Sequence, residues 1–133
     1  MSVRILIADD HAIVREGIRR VLESRPDWQI CGEAANGQEA VRMALELQPD
    51  VTVMDVTMPV MSGFEAADEI SRLPTGSRVL FFTMHDSDTV STTARKSGGY
   101  GYVMKSRAAQ DLIRALERIV SGGTFFESAA LPH

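Results

Sequence analysis

Five side chains in this sequence could do chemistry together: Asp9, Asp10, Asp55, Thr83 and Lys105. Each follows a short apolar run directly, as in VRILIA before Asp9-Asp10 and VTVM before Asp55. Three carboxylates brought close together repel one another unless a cation sits among them. Oxygen ligands and high negative charge suit Mg²⁺, which keeps several of its waters. A metal site beside a hydroxyl and a fixed ammonium is what phosphoryl transfer requires, because the protein there mainly positions groups and neutralises phosphoryl oxygens. Asp55 is the best-placed nucleophile, since an aspartate can carry a phosphoryl group as an acyl phosphate. Asp9 and Asp10 would hold the metal. Thr83 would donate its hydroxyl to a phosphoryl oxygen. Lys105 would pair first with Asp55 and then with the phosphoryl group. Taken singly these residues say little: acidic pairs cap helices, and lone lysines are mostly solvated. The signal is their joint order.

The elements that must position them alternate along the chain. Val3 to Ala8 reads as a buried strand. Ala12 to Leu22 has Ile13, Val14, Ile18, Val21 and Leu22 at helical spacing. Trp28 to Ala34 is a second strand, Asn36-Gly37 a turn, and Ala40 to Leu47 a helix closed before Pro49. Strands at Val51 to Met54, Arg78 to Phe82 and Tyr102 to Met104 follow. Helices are expected at Phe64 to Leu73, more weakly at Asp88 to Lys96, and at Asp111 to Val120. Right-handed crossovers turn five such units into a parallel sheet with helices on both faces. Ligands of these α/β sheets bind at the carboxyl ends of the strands, where the five side chains stand.

The chain has 133 residues, which suits one domain, and 44% hydrophobic residues can build a core. A net charge of −4 argues against a nucleic-acid surface on this segment. The single cysteine, Cys31, rules out a disulfide framework and is expected to be buried and inert. The opening apolar run ends in two aspartates, so it is not a signal peptide. No stretch approaches the roughly 18 apolar residues of a membrane span. A cytoplasmic protein with no membrane contact is the expectation.

Over nearly its whole length the chain resembles the response-regulator receiver family. The resemblance is carried by Asp9-Asp10, by Asp55-Val56-Thr57-Met58-Pro59 with Gly63, by Thr83, and by Gly101-Tyr102-Val103-Met104-Lys105. It implies a flavodoxin-like (CheY-like) α/β fold, a five-stranded parallel sheet of order 2-1-3-4-5. It implies that Asp55 is the phosphoacceptor and that Mg²⁺ is held by Asp10, Asp55 and the backbone carbonyl of Thr57, with Asp9 acting through water. Thr83 and Tyr102 would form the switch pair, and Lys105 would contact the phosphoryl group. The implied partner is a sensor histidine kinase. The domain would hydrolyse its own acyl phosphate but would not be an enzyme with an external product.

ADDHAIVREGI and Lys105-Ser106 narrow the resemblance to the NarL/FixJ (LuxR-type) transcription regulators. In that subfamily a basic helix-turn-helix domain follows. The expected organisation is a receiver over residues 1–120 and a tail over 121–133 that begins a linker. DNA would be met only through that further domain, and phosphorylation-dependent homodimers are an expected partner state. Gly99 and Tyr100 depart from the subfamily's usual alanine and polar residue, which alters the loop before the fifth strand rather than the chemistry.

Two other readings fit the sequence less well. A degenerate receiver acting as an interaction module would lack one of the acidic, threonine or lysine positions. A phosphatase using an Asp-x-Asp pair would need an acid where Thr57 stands. Among the remaining residues, His11 is expected to begin the first helix, and His85 to lie in a loop near Asp55. Phe81 and Phe82 should face opposite sides of the sheet. Phe125-Phe126 reads as an exposed anchor for a following domain in preference to a cover for the sheet edge.

Overall fold

The structure, a computed structural model, describes residues 2–84 and 88–126. Expectations for His85 and for the end of the tail lie outside these residues. The strands are β1 (Val3–Ala8), β2 (Trp28–Ala34), β3 (Val51–Asp55), β4 (Arg78–Thr83) and β5 (Gly101–Met104). The helices are α1 (Ala12–Leu22), α2 (Gly37–Leu47), α3 (Gly63–Ser71), α4 (Asp88–Lys96) and α5 (Ala108–Val120). All strand pairs are parallel, and the sheet order is β2-β1-β3-β4-β5, as the resemblance implies.

The two-residue period of the strands divides the core. Ile5, Ile7, Val53, Leu80 and Phe82 pack against Ile18 and Leu22 of α1 and Leu112, Leu116 and Ile119 of α5. Leu6, Ala8, Met54, Phe81 and Tyr102 face Ala40 and Ala44 of α2, Ala66, Ala67 and Ile70 of α3, and Ala94 of α4. Phe81 and Phe82 thus take opposite faces, and Phe81 meets the Phe64 ring edge-on at 4.9 Å. Alanine dominates the second helical layer, which lets α2, α3 and α4 lie close to the sheet.

Several boundaries shift for local reasons. α2 starts at Gly37, three residues early, because Asn36 caps it by accepting the Glu39 N–H at 2.8 Å. α3 starts one residue early, at Gly63, behind a reciprocal Ser62–Glu65 capping box, and ends at Ser71. α5 starts at Ala108 after a single 3₁₀ turn, Lys105–Arg107. Asp55 and Thr83 are the last residues of their strands, not the first of the following loops. Cys31 is only half-buried, not buried as expected; burial pushes its thiol pKa up.

The largest correction concerns the tail. Phe125 is 3% exposed and sits in the core on the α5 side. It bridges Gly101 in parallel: the Tyr102 N–H donates to Phe125 O at 3.0 Å, and the Phe125 N–H to Tyr100 O at 2.9 Å. Phe126 takes the opposite face, 6.4 Å from the Tyr102 ring, with the Arg95 guanidinium 3.9 Å from its own ring centre. The pair therefore covers the open edge of β5 and is not an exposed anchor. An edge strand leaves backbone groups unpaired, and two large rings on alternating sides supply the area to hold a cover there.

Glu33 on β2 ties the sheet to α1. Arg15 Nε reaches it at 3.1 Å, and Arg19 also hydrogen-bonds it. The Arg19 hydrogen bond, more than the Arg15 contact, holds the Glu33 carboxyl below the usual carboxylate range. A depressed folded pKa stabilises above the unfolded value, about 4.3, and that contribution is lost as pH falls through the folded pKa. Glu33→Gln should therefore lower stability at pH 7 by no more than about 1 kcal/mol, since the group is partly solvated. Urea titrations at neutral and acid pH should show the difference from wild type closing as pH falls. A difference that persists at low pH would mean packing, not charge, links these elements.

Candidate functional site

The five side chains do meet at the carboxyl edge of the sheet. β1 ends at Ala8, so Asp9 is carried straight off a buried strand and is 0% exposed, while Asp10 is exposed at the rim of the site. Asp9 Oδ1 accepts the His11 N–H at 2.8 Å, and its backbone carbonyl accepts Arg15 Nη1 at 2.6 Å. Asp55 is buried at the end of β3. Its position depends on Gly63: a Cβ there would lie 2.0 Å from Asp55 O, so only glycine lets α3 begin so close beneath the strand end. The Gly63 N–H donates to Val56 O at 2.8 Å, pinning the loop to the helix start.

Lys105 enters from β5. Its Nζ lies 3.2 Å from Asp9 Oδ2 and 3.3 Å from Asp55 Oδ1. It is the shared counter-ion of the two buried carboxylates, where the sequence reading paired it with Asp55 alone. Thr83 is buried at the end of β4. Asp10, His11, Asp55, Val56, Thr57, Thr83, Met84 and Lys105 line one cavity of about 400 Å³. Tyr102 stands two residues into β5 with its side chain buried in the second core layer.

The electrostatics of this cavity are unbalanced. Burial, and then the charge of Asp9, push the Asp55 carboxyl pKa up, with Lys105 and the Thr57 N–H opposing. Asp9 Oδ2 is buried and accepts no hydrogen bond; Lys105 meets it as a charge contact only. Such an atom is costly to leave unmatched. Among the described residues, Asp9, Asp10, His11 and Asp55 each offer a ligand atom, and these atoms lie within 4.8 Å of one another. An orphaned buried oxygen, oxygen-rich donors and a surplus of negative charge all fit a hard divalent cation.

The sequence reading names each member of this cluster but gives His11 no part in it. His11 does begin α1, but its side chain makes no capping bond, and its Nδ1 lies 3.3 Å from Asp9 and 3.2 Å from Asp10. The signal was its adjacency to the acidic pair. Val60, in the loop after Thr57, has φ 72°, unusual for a β-branched residue, and nothing in the sequence marks it.

The sequence model of the response regulator receiver domain matches residues 5–117. The chain is 32% identical over 128 residues to the nitrate/nitrite response regulator protein NarL of Escherichia coli, covering 96% of this chain and 59% of that protein. It is 35% identical over 125 residues to the transcriptional regulatory protein DegU of Brevibacillus brevis, covering 93% and 52%. It thus spans little more than half the length of these relatives. Among solved structures it superposes on a LuxR-family two-component response regulator from Aurantimonas sp. with TM-score 0.89, 40% identity, and coverage of 95% of this chain and 90% of that one. For the receiver domain of the NarL regulator from Mycobacterium tuberculosis the values are 0.86, 29%, 91% and 98%.

Proposed function

This chain belongs to the response regulator receiver domain family, and on that premise we propose that it accepts a phosphoryl group on Asp55 from a sensor histidine kinase, with Mg²⁺, and switches a transcriptional output. The observation that carries the proposal is Lys105 Nζ within 3.3 Å of Asp55 Oδ1, in one cavity with Asp10, Thr57 and Thr83. An Asp55 oxygen forms the new bond to phosphorus as the phosphorus–nitrogen bond of the donor phosphohistidine breaks. Lys105 already neighbours an Asp55 carboxylate oxygen, so it can turn from the carboxylate to the phosphoryl oxygens. Thr83 donates its hydroxyl to another phosphoryl oxygen. Asp10, Asp55 and the Thr57 backbone carbonyl would hold Mg²⁺, with Asp9 acting through water. When bound, the cation neutralises phosphoryl charge. Attack of water on phosphorus later frees inorganic phosphate and restores Asp55.

The signal leaves through Thr83. Drawing its hydroxyl toward the phosphoryl group shifts the loop after β4 and vacates space beside α4. Tyr102 is in its buried position in this structure and is the second half of the bistable pair. The proposed output surface is α4, β5 and α5, with phosphorylation-dependent homodimers as one use of it. A cytoplasmic location, and contact with DNA through a further helix-turn-helix domain, belong to the same proposal. The described residues contain no helix long and apolar enough to cross a membrane. A degenerate interaction module is not favoured, since every acidic, hydroxyl and lysine position is filled.

Incubation with acetyl phosphate, or with beryllium fluoride as its mimic, should modify or occupy Asp55 only when Mg²⁺ is present. Amide exchange should then change most between Thr83 and Met104. Thr83→Ala should blunt that change while Asp55 still takes the phosphoryl group. Changes confined to α2, around Val41 to Leu47, would show that the switch is misassigned even with the phosphorylation site right.

A further inference from the structure

We propose that His11 is a nitrogen ligand that gives the carboxylate cluster a second cation state, one selective for a borderline divalent ion such as zinc. The inference rests on the cation site proposed above but not on phosphoryl transfer. Four observations support it. The imidazole lines the same cavity as Asp10 and Asp55. Its Nδ1 lies 3.3 Å from Asp9 Oδ1 and 3.2 Å from Asp10 Oδ1. Four ligand atoms, from Asp9, Asp10, His11 and Asp55, fall within 4.8 Å of one another. Asp9, fully buried, keeps an oxygen with no hydrogen bond, Oδ2, which among the described residues only the Lys105 ammonium meets, at 3.2 Å.

Two of the distances already match a small tetrahedral shell. Donors about 2.0 Å from a zinc ion stand about 3.3 Å apart, the spacing His11 already has from both aspartates. Three carboxylates and the Lys105 ammonium leave a formal excess of two negative charges, which a divalent ion cancels. Mg²⁺ prefers oxygen and water in an octahedron and gains little from an imidazole. Zinc accepts nitrogen readily and needs only four ligands. The ring is not engaged in capping the helix, since His11 makes no side-chain cap bond. A shell closed by four protein groups leaves no open position beside Asp55, so the zinc-bound form is refractory to phosphoryl transfer.

The plain alternative is a protonated His11 ion-paired with Asp9 and Asp10, with no metal role. The two are separated by calorimetric titration with zinc chloride alone and magnesium chloride alone. The chain has three histidines, so the protein carries His85→Gln and His133→Gln to leave His11 as its one imidazole. His11→Ala in that background should weaken zinc binding by about tenfold or more, and Mg²⁺ binding by less than about twofold. The imidazole Nδ1 resonance should shift on adding zinc, and beryllium fluoride occupancy blocked by zinc should return in the His11→Ala protein. Circular dichroism should show an unchanged fold. Zinc affinity that is unaffected by His11→Ala, or that falls by the same factor as Mg²⁺ affinity, overturns the proposal. A zinc-specific loss in a protein that binds no Mg²⁺ upholds His11 as a ligand and overturns the Mg²⁺ reading instead.

Discussion

Asp55→Asn is expected to abolish Mg²⁺-dependent phosphorylation and, in the same molecule, to raise the melting temperature of the metal-free protein. Loss of the nucleophile explains the first effect: an amide cannot form the acyl phosphate, and among the described residues Lys105, which meets Asp9 and Asp55, makes no contact that would position Asp10 as a substitute. The second follows from the charge imbalance. Burial and the neighbouring Asp9 charge hold the Asp55 carboxyl pKa up. A raised folded pKa means the ionised form costs stability above that pKa, and the cost fades as pH falls through it. Asparagine removes the cost at neutral pH, while Lys105 keeps Asp9 as a partner at 3.2 Å. The gain should be roughly 1–2 kcal/mol, and should shrink on acidification. Mg²⁺ should raise the melting temperature of the wild type through mass action and have little effect on the variant. Thermal melts with and without Mg²⁺, beside mass spectrometry after acetyl phosphate treatment, read both effects. Covalent phosphate on the variant would remove Asp55 from its proposed role. A lower melting temperature would mean that the carboxylate is a net stabiliser despite its burial.

The second large effect lies at the far edge of the sheet. Phe125→Ala should destabilise the domain by about 3 kcal/mol, the low end for deleting a buried phenylalanine, because an edge site can partly collapse. Against a typical total of roughly 5–15 kcal/mol this is a large share. Phe126→Ala should cost less, since that ring is only half-buried. The Tyr102 amide, whose acceptor is Phe125 O, should exchange faster in Phe125→Ala. Gly101→Ala offers an independent route to the same state: a Cβ there would meet Phe125 O at 2.5 Å and push the tail off β5. Equal stability in chemical denaturation for Phe125→Ala and the wild type would show that the segment contributes nothing to the core.

Phe125 shows where local pattern stops being informative. Two consecutive aromatics after Gly122-Gly123 carry no period, and no neighbour in sequence says what they touch. Their partner is an open strand edge more than 20 residues back, and that edge exists only once the sheet is ordered. His11 is a parallel case. Its type and position beside two aspartates were plain, but the direction of its ring depends on how α1 leaves β1.

What the sequence determined by itself is the order of elements and the set of residues at the strand ends. Short β-branched runs and helical apolar stripes are local signals, set by the two-residue and 3.6-residue periods, and Asp9-Asp10, Asp55, Thr83 and Lys105 could be read as punctuation at the end of each strand. The resemblance added the roles. What only the tertiary structure decided is how unequal these like residues are. Asp9 and Asp10 are adjacent and identical in type, yet one is sealed in the core and the other faces solvent. Lys105 reaches Asp9 and Asp55 at once only because β5, β1 and β3 end at one edge of the sheet. Burial and long-range proximity create the raised Asp55 pKa, the orphaned oxygen and the cluster of ligand atoms around them. These are properties of residues far apart in the chain, which acquire a common low-dielectric environment only when the sheet closes around them.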